Sequence, residues 1–382
     1  MKKIKSIIKK ILKLVIIIIF NIMKLLPLKN DFVVLDSWKG QSLKGNLLSI
    51  YNELNLNYNL KIVVIGNNFN FKNSNTVVCK SKSIKHIYYL AISKYWIVDT
   101  LYYDYLKPRK ETKYILVWHA PGVFKRFGIS TINGCKVLED VYIKNGRNLS
   151  NLIVSSSIVK QIYSKELCID EKKIISLGLP RTDEFILQCE SCKENIYTKY
   201  GINKEKKIIL YAPTFRGEGI KDFNLNLDID KIDIYMNLDY IIIVKLHPNN
   251  YIEKTNVSWL KSKIIISEGD NLEELMKVSD CLITDYSSII FEYCLLKKPI
   301  FFYAYDLENY MHNERGFYVD YKEFVPGPIV YNTEQLINQI NNYQIDKYKD
   351  KINYVANEYQ RHDGKCTKRF MEYFFNNRKR LR

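Results

Sequence analysis

The sequence predicts an α/β protein built as two doubly wound, Rossmann-like domains facing a cleft, preceded by a basic amphipathic helix. Three observations predict it. Short β-branched apolar runs alternate with stretches of helical spacing, the pattern of parallel strands buried on both faces. The alternation comes in two series, and 382 residues, 47% of them hydrophobic, are enough for two cores. Clusters of Pro, Gly, His, Ser and basic residues stand where apolar runs stop, and open α/β sheets bind ligands at strand carboxyl ends.

The first element is the lysine-rich stretch 1–30, with eight lysines and no acid. Ile4, Ile7, Ile8, Ile11, Leu12 and Val15 fall at helical spacing, with Lys2, Lys5, Lys9 and Lys13 mostly off that stripe. Such a helix lies in the plane of lipid headgroups. A transmembrane span is the rival reading, but the lysine-free run Leu14–Met23 has ten residues, against the roughly twenty a span needs. No small-residue cleavage site follows Phe20, so a signal peptide ranks last. The expectation is peripheral or monotopic attachment to an anionic membrane surface, with the body on the cytoplasmic face.

Strands are expected over Phe32–Leu35, Lys61–Ile65, Thr76–Val78, Tyr95–Val98, Tyr114–Val117 and Leu152–Val154, with helices over Asn46–Leu54 and Ile84–Ile92. A second series runs through Lys173–Leu177, Lys207–Tyr211, Tyr240–Val244, Lys263–Ile266, Cys281–Ile283 and Ile300–Tyr303, with a polar helical stretch, Glu184–Tyr200, after its first strand. Helical patterns over Thr333–Tyr343 and Tyr348–Phe375 follow Pro326-Gly327-Pro328. These segments give four regions: 1–30 the basic helix, 31–175 and 176–345 the α/β domains, and 346–382 the C-terminal helices.

The net charge of +17 favours an anionic partner: a membrane surface, a nucleic acid or a phosphorylated substrate. The 30 tyrosines are not interleaved with Arg or Lys in any reader motif, so nucleic acid is not expected. The eight cysteines are scattered, and the single CxxC (Cys189, Cys192) has no second pair at zinc-site spacing. Reduced thiols fit best, and neither a metal site nor a cofactor is expected.

Five clusters carry the chemistry. Trp118-His119-Ala120-Pro121-Gly122 is followed by Lys125-Arg126-Phe127-Gly128, and Gly178-Leu179-Pro180-Arg181-Thr182-Asp183 comes next. Then come Ala212-Pro213-Thr214-Phe215-Arg216-Gly217, Lys245-Leu246-His247-Pro248, and Thr284-Asp285-Tyr286-Ser287-Ser288 with Glu292 one turn on. Ser287 and Ser288 suit an ordinary helix N-cap, and equally a phosphate held by free N–H groups at a helix entry. His119 and His247 each end an apolar run, where an imidazole either packs structurally or meets a ligand and titrates near neutral pH. Beside Lys245, Arg216 and Arg181 the pair looks like a phosphate-handling site. Ala120, Pro121, Gly122 and Asp285 are expected at the substrate through the same strand-end placement. No Walker sequence, GxSxG, HExxH, GxGxxG or clustered Asp-x-Asp is present.

In this order, WHAPGVFKRFG, GLPRTDEF, YAPTFRG, VKLHP, TDYSSIIFEY with KKPIFFY, and RGFYVDY before PGP resemble the CDP-glycerol glycerophosphotransferases of teichoic acid synthesis. The resemblance covers roughly residues 32 to 370. It implies a GT-B-like fold with the acceptor on the N-terminal domain and the CDP-alditol donor on the C-terminal one. It implies a membrane-associated enzyme that moves glycerol phosphate from CDP-glycerol to a hydroxyl of an undecaprenyl-diphosphate-linked saccharide, releasing CMP. It places His119 as general base, His247 and Lys245 at the donor diphosphate, and Arg181, Pro213, Thr214, Ser287, Ser288 and Glu292 at the donor. Polymerising members often read Trp-His-Gly-Thr-Pro-Leu-Lys, whereas Ala120-Pro121-Gly122 follows the histidine here, which looks more like the primase subgroup. CDP-ribitol, or another CDP-alditol used for a capsule or wall polymer, is the alternative donor.

Overall fold

The computed structural model describes residues 2–37, 43–66, 73–101, 103–118, 120–187, 190–214, 225–246, 263–314, 316–361 and 363–376. Its elements begin with α1 (Lys2–Met23), β1 (Lys29–Asp36), α2 (Gly45–Asn57), β2 (Lys61–Ile65), β3 (Thr76–Cys79), α3 (Ile84–Ile92), β4 (Ser93–Val98) and β5 (Lys113–Leu116). Next come α4 (Lys136–Asn148), β6 (Asn151–Val154), α5 (Lys160–Leu167), β7 (Ile174–Ser176), α6 (Glu190–Tyr200), β8 (Lys207–Tyr211), α7 (Ile229–Tyr235) and β9 (Tyr240–Val244). After β10 (Ile264–Ile266) follow α8 (Leu272–Val278), β11 (Cys281–Thr284), α9 (Ile289–Tyr293), β12 (Ile300–Tyr303), α10 (Leu307–Asn309) and α11 (Tyr321–Phe324). The last are β13 (Ile329–Val330), α12 (Thr333–Asn341), α13 (Lys349–Tyr359) and α14 (Cys366–Phe375). The chain divides into two units, one of residues 1–121, 127–184 and 361–382, the other of 122–126 and 185–360.

The first unit holds a seven-stranded parallel sheet in the order β3-β2-β1-β4-β5-β6-β7. Side chains alternate across it as period two requires. Val33, Leu35, Ile62, Val64, Tyr95 and Ile97 lie in one cluster with Leu47, Ile50 and Leu54 of α2 and with Phe370, Met371 and Phe375 of α14. Trp96 is fully buried and meets Phe20 of α1 edge-on, with ring centroids 6.0 Å apart. Lys13 pairs with Asp104 at 2.8 Å, and Arg109 donates to the Leu26 carbonyl just past α1 at 2.5 Å. On the remaining surface of α1, Ile7, Ile8, Ile11, Leu12, Leu14, Ile18 and Ile22 are all more than half exposed. The stripe read from the sequence is therefore not buried in the protein's own core, and α1 is clamped to the unit through Phe20. Among the described residues no helix is long and apolar enough to cross a membrane.

The second unit holds a six-stranded parallel sheet in the order β10-β9-β8-β11-β12-β13. Ile209, Tyr211, Ile242, Val244, Ile283, Phe301 and Tyr303 pack against Ile232 of α7 and Leu336, Ile337 and Ile340 of α12. In each sheet the chain winds outward and then reverses, between β1 and β4 in the first and between β8 and β11 in the second. Such reversals leave a crevice at the strand carboxyl ends.

Several elements differ from the sequence reading. The segment around Ile174–Ser176 pairs with β6 and completes the first sheet, where hydropathy alone grouped it with the second series. The pattern over Tyr348–Phe375 is two helices. Gln360 is extended, Gly364 is left-handed at φ 66°, and both Asp183 carboxylate oxygens accept from the first N–H groups of α14 at 2.8 and 2.7 Å. α4 and α5 carry too few apolar residues to stand out, and β13 is two residues long. Cys192 is disulfide-bonded, against the expectation of reduced thiols, and the other six described cysteines are free.

Candidate functional site

In the first unit the candidate residues stand on the loops after β5 and β7. β5 runs through buried Val117 to Trp118, whose backbone is left-handed at φ 42°. That conformation is costly for a bulky residue and persists only where the surroundings impose it. Here they do so from three sides. The Trp118 ring lies among Phe127 and Tyr163, the Tyr163 hydroxyl donates to the Ala120 carbonyl at 2.8 Å, and the Ser155 hydroxyl donates to that of Pro121. His119, between these fixed neighbours, lies outside the described residues.

The third side is Asn46, which sequence reasoning passed over. It sits in the first turn of α2, is 4% exposed, and donates through Nδ2 to the carbonyls of Val117 and Trp118, both at 3.0 Å. Its Oδ1 accepts from the Arg181 N–H at 3.1 Å. One amide thus joins the loop that carries His119 to the loop that carries Arg181. The Arg181 side chain passes over Gly45, where a Cβ would meet Arg181 Cδ at 3.3 Å and where φ is +52°, so this position suits glycine twice over. Asp183, in the same motif, is turned away to cap α14.

At the reversal of the first sheet, Asp36 ends β1 and accepts from the Tyr103 hydroxyl. His86 Nε2 lies 2.9 Å from that hydroxyl, and its Nδ1 accepts from the Lys82 N–H, so a neutral ring carries its proton on Nε2. All three side chains are buried, and burial with the Asp36 charge pushes the Tyr103 hydroxyl well above its ordinary pKa.

In the second unit the loops after β8 and β11 flank the reversal and are laced together. Thr284 Oγ1 donates to the Ala212 carbonyl at 2.8 Å, and Asp285 Oδ1 accepts from the Thr214 and Tyr286 N–H groups at 2.9 and 2.6 Å. Asp285 is 1% exposed, so this carboxylate holds the two loops in register. Its own carbonyl accepts from the Tyr321 hydroxyl at 2.9 Å, which brings in the Gly316–Tyr321 segment, and Tyr321 also lines a cleft of about 360 Å³ with Arg126 and Phe317. Burial, with Asp306 accepting from the hydroxyl, pushes Tyr286 far above its ordinary pKa.

Ser287 accepts from the Ile289 N–H at 3.4 Å, while the Ser288 side chain makes no capping bond. α9 is five residues long and passes into a 3₁₀ turn, so its dipole is small. Glu292, one turn on, is 4% exposed. Pro213 is buried in the β8 loop, and Lys245 at the end of β9 donates to the Asp270 carbonyl at 2.6 Å. Gly122 belongs to this unit and lies flat against the Phe291 ring, where a Cβ would overlap the ring. Arg216 and His247 lie outside the described residues. Among those described, no group of three or more His, Cys, Asp or Glu side chains could hold a metal ion.

The family described as CDP-Glycerol:Poly(glycerophosphate) glycerophosphotransferase matches residues 18–376. The teichoic acid ribitol-phosphate primase of Bacillus spizizenii is 33% identical over 366 residues, covering 91% of this chain and 92% of that one. The teichoic acid glycerol-phosphate transferase of Staphylococcus aureus is 30% identical over 377 residues, covering 93% and 92%. The poly(ribitol-phosphate) polymerase of Bacillus spizizenii is 33% identical over 371 residues, 92% of this chain but 57% of its own length. Among solved structures, the wall teichoic acid polymerase TagF shares the fold, with a TM-score of 0.82 over 98% of this chain and 96% of that one at 24% identity. With two parallel α/β sheets and this likeness the fold class is GT-B-like, and the chain belongs to the CDP-glycerol:poly(glycerophosphate) glycerophosphotransferase family.

Proposed function

We propose that this chain transfers glycerol phosphate from CDP-glycerol to a hydroxyl of a lipid-linked saccharide in teichoic acid synthesis, releasing CMP. The family match over residues 18–376, which contains all five strand-end clusters, carries this reading. In the proposed reaction His119 takes the proton of the acceptor hydroxyl as its oxygen attacks the phosphorus that bears glycerol. The bond from that phosphorus to the CMP oxygen breaks, and CMP leaves with the electron pair. Lys245, His247, Arg181 and Arg216 offset the charge spread over the non-bridging oxygens. Ser287 and Ser288 donate to the diphosphate, and Glu292 accepts from a hydroxyl of the donor. Arg181 apart, the first unit serves the acceptor and the second the donor. The primase-like reading rests on Ala120-Pro121-Gly122 after the histidine.

A second donor, CDP-ribitol, is favoured by a specific observation: a ribitol-phosphate primase is as similar, at 33% identity, as the glycerol-phosphate primase of Bacillus subtilis. Attachment to the cytoplasmic face of the membrane through α1 is supported by its exposed isoleucines and leucines together with its lysines. The test is incubation with CDP-glycerol or CDP-ribitol and a synthetic undecaprenyl-diphosphate disaccharide, reading CMP release and product mass. A product heavier by one glycerol phosphate is expected. Release only from CDP-ribitol would shift the assignment to the second donor, and no release from either would refute the transfer.

A further inference from the structure

Lys245 is held by a turn that is itself tied down unusually well. The turn runs from Ser267 to Asp270, directly after β10, and bends at Gly269 with φ +72°. Lys199 at the end of α6 donates to the Glu268 carbonyl at 2.7 Å and to Asp270 Oδ1 at 2.5 Å. The neighbouring Tyr200 hydroxyl donates to Asp270 Oδ2 and accepts from the Glu268 N–H at 3.1 Å. Ser267 Oγ donates to Asp270 Oδ2 at 2.7 Å. The Asp270 side chain is 6% exposed, and its backbone carbonyl accepts from Lys245 Nζ at 2.6 Å. A carboxylate with three donors on it fixes its own main chain, and that main chain carries the acceptor for the lysine.

We propose that Asp270 is a positioning residue for the donor. Its carboxylate, locked by Lys199, Tyr200 and Ser267, sets the carbonyl that holds the Lys245 ammonium at the carboxyl end of β9. The inference rests on Lys245 being a contact of the donor diphosphate. A lysine stem with four rotatable bonds is poorly ordered by itself, so pre-placing its ammonium lowers the entropy lost when the diphosphate binds. Burial disfavours the charged carboxyl, but the bonds from Lys199, Tyr200 and Ser267 outweigh it and hold Asp270 below the ordinary carboxylate pKa. It is thus ionised at neutral pH, as the clamp requires.

The experiment is a double-mutant cycle on donor KM, acceptor KM and kcat, with D270A, K245A and the double variant. Asp270→Ala should raise the donor KM about tenfold, with kcat and acceptor KM within about twofold. Asp270→Asn, which still accepts hydrogen bonds, should restore much of the loss. In the K245A background, D270A should add nothing to the donor KM. Effects that simply multiply, or that fall equally on donor and acceptor, would overturn the positioning role while leaving Lys245 at the donor. A K245A enzyme with unchanged donor KM would overturn the Lys245 reading, and the positioning role with it. If D270A does not fold, Tyr200→Phe combined with Ser267→Ala removes two of the three bonds and should shift donor KM in the same direction. No shift in that variant would overturn the proposal.

Discussion

Replacing Asn46 with alanine tests how the first unit shapes the ground around His119. The substitution removes three hydrogen bonds, to the Val117 and Trp118 carbonyls and from the Arg181 N–H, at a position 4% exposed to solvent. Each bond contributes about 0.5–1.5 kcal/mol, and backbone partners left buried without replacement cost at the upper end, so about 3 kcal/mol is expected. With a urea slope of about 2 kcal/mol/M, the midpoint of the first unit's transition should fall by about 1.5 M. The two units need not unfold together, so the transition is followed by hydrogen exchange of the β1 and β4 peptides, which pair within the first unit. Asn46→Asp keeps the size and can still accept from Arg181, but offers no donor to the two carbonyls and buries a charge. It should be no more stable than N46A at pH 7. Released from Asn46, Trp118 can leave its left-handed conformation, so kcat/KM should fall at least tenfold, equivalent to about 1.4 kcal/mol of barrier. An unchanged midpoint with an unchanged kcat/KM would refute the reasoning.

His119→Ala should abolish CMP release while leaving CDP-glycerol bound, as read by calorimetry; undiminished turnover would remove it as the base. Ile11→Glu with Ile18→Glu, on the exposed side of α1, should release the protein from anionic vesicles in a sedimentation assay without changing Tm. Phe20→Ala should instead lower stability by about 3 kcal/mol, because that ring is buried against Trp96. Burial, with Asp183 nearby, pushes the Cys366 thiol up to about 12, so it carries almost no thiolate at pH 8. A thiol reagent at pH 8 should therefore modify exposed Cys135 quickly and Cys366 only after denaturation.

The sheets were legible because a strand buried on both faces must be a run of β-branched and aromatic residues, and segments such as Lys207–Tyr211 and Tyr240–Val244 coincide with β8 and β9 to the residue. The loops of the candidate site were legible because Pro, Gly and polar residues interrupt those runs abruptly. What lay hidden depends on tertiary partners. Nothing local marks Asn46, a polar residue in the first turn of a helix, as the amide that joins two loops. Asp285 and Gly122, expected at the substrate, meet the Thr214 and Tyr286 N–H groups and the Phe291 ring respectively, and Thr214 and Phe291 are both far off in sequence. Asp270 is invisible for a similar reason, since apart from Ser267 its partners lie on α6 and just past β9. α4 escaped because most of its surface faces solvent, leaving too narrow an apolar stripe to detect.

That α14 completes the core of the first unit bears on how the chain is made. A ribosome releases β1 to β7 first, yet Phe370, Met371 and Phe375, which cover Tyr58 and Tyr95, emerge only after every residue of the second unit. The second unit is free to fold as soon as α13 appears, because the short insert it borrows, 122–126, has long since emerged. The nascent amino-terminal half must wait with one apolar face uncovered, and a truncation that deletes the last helix would unravel the beginning of the protein.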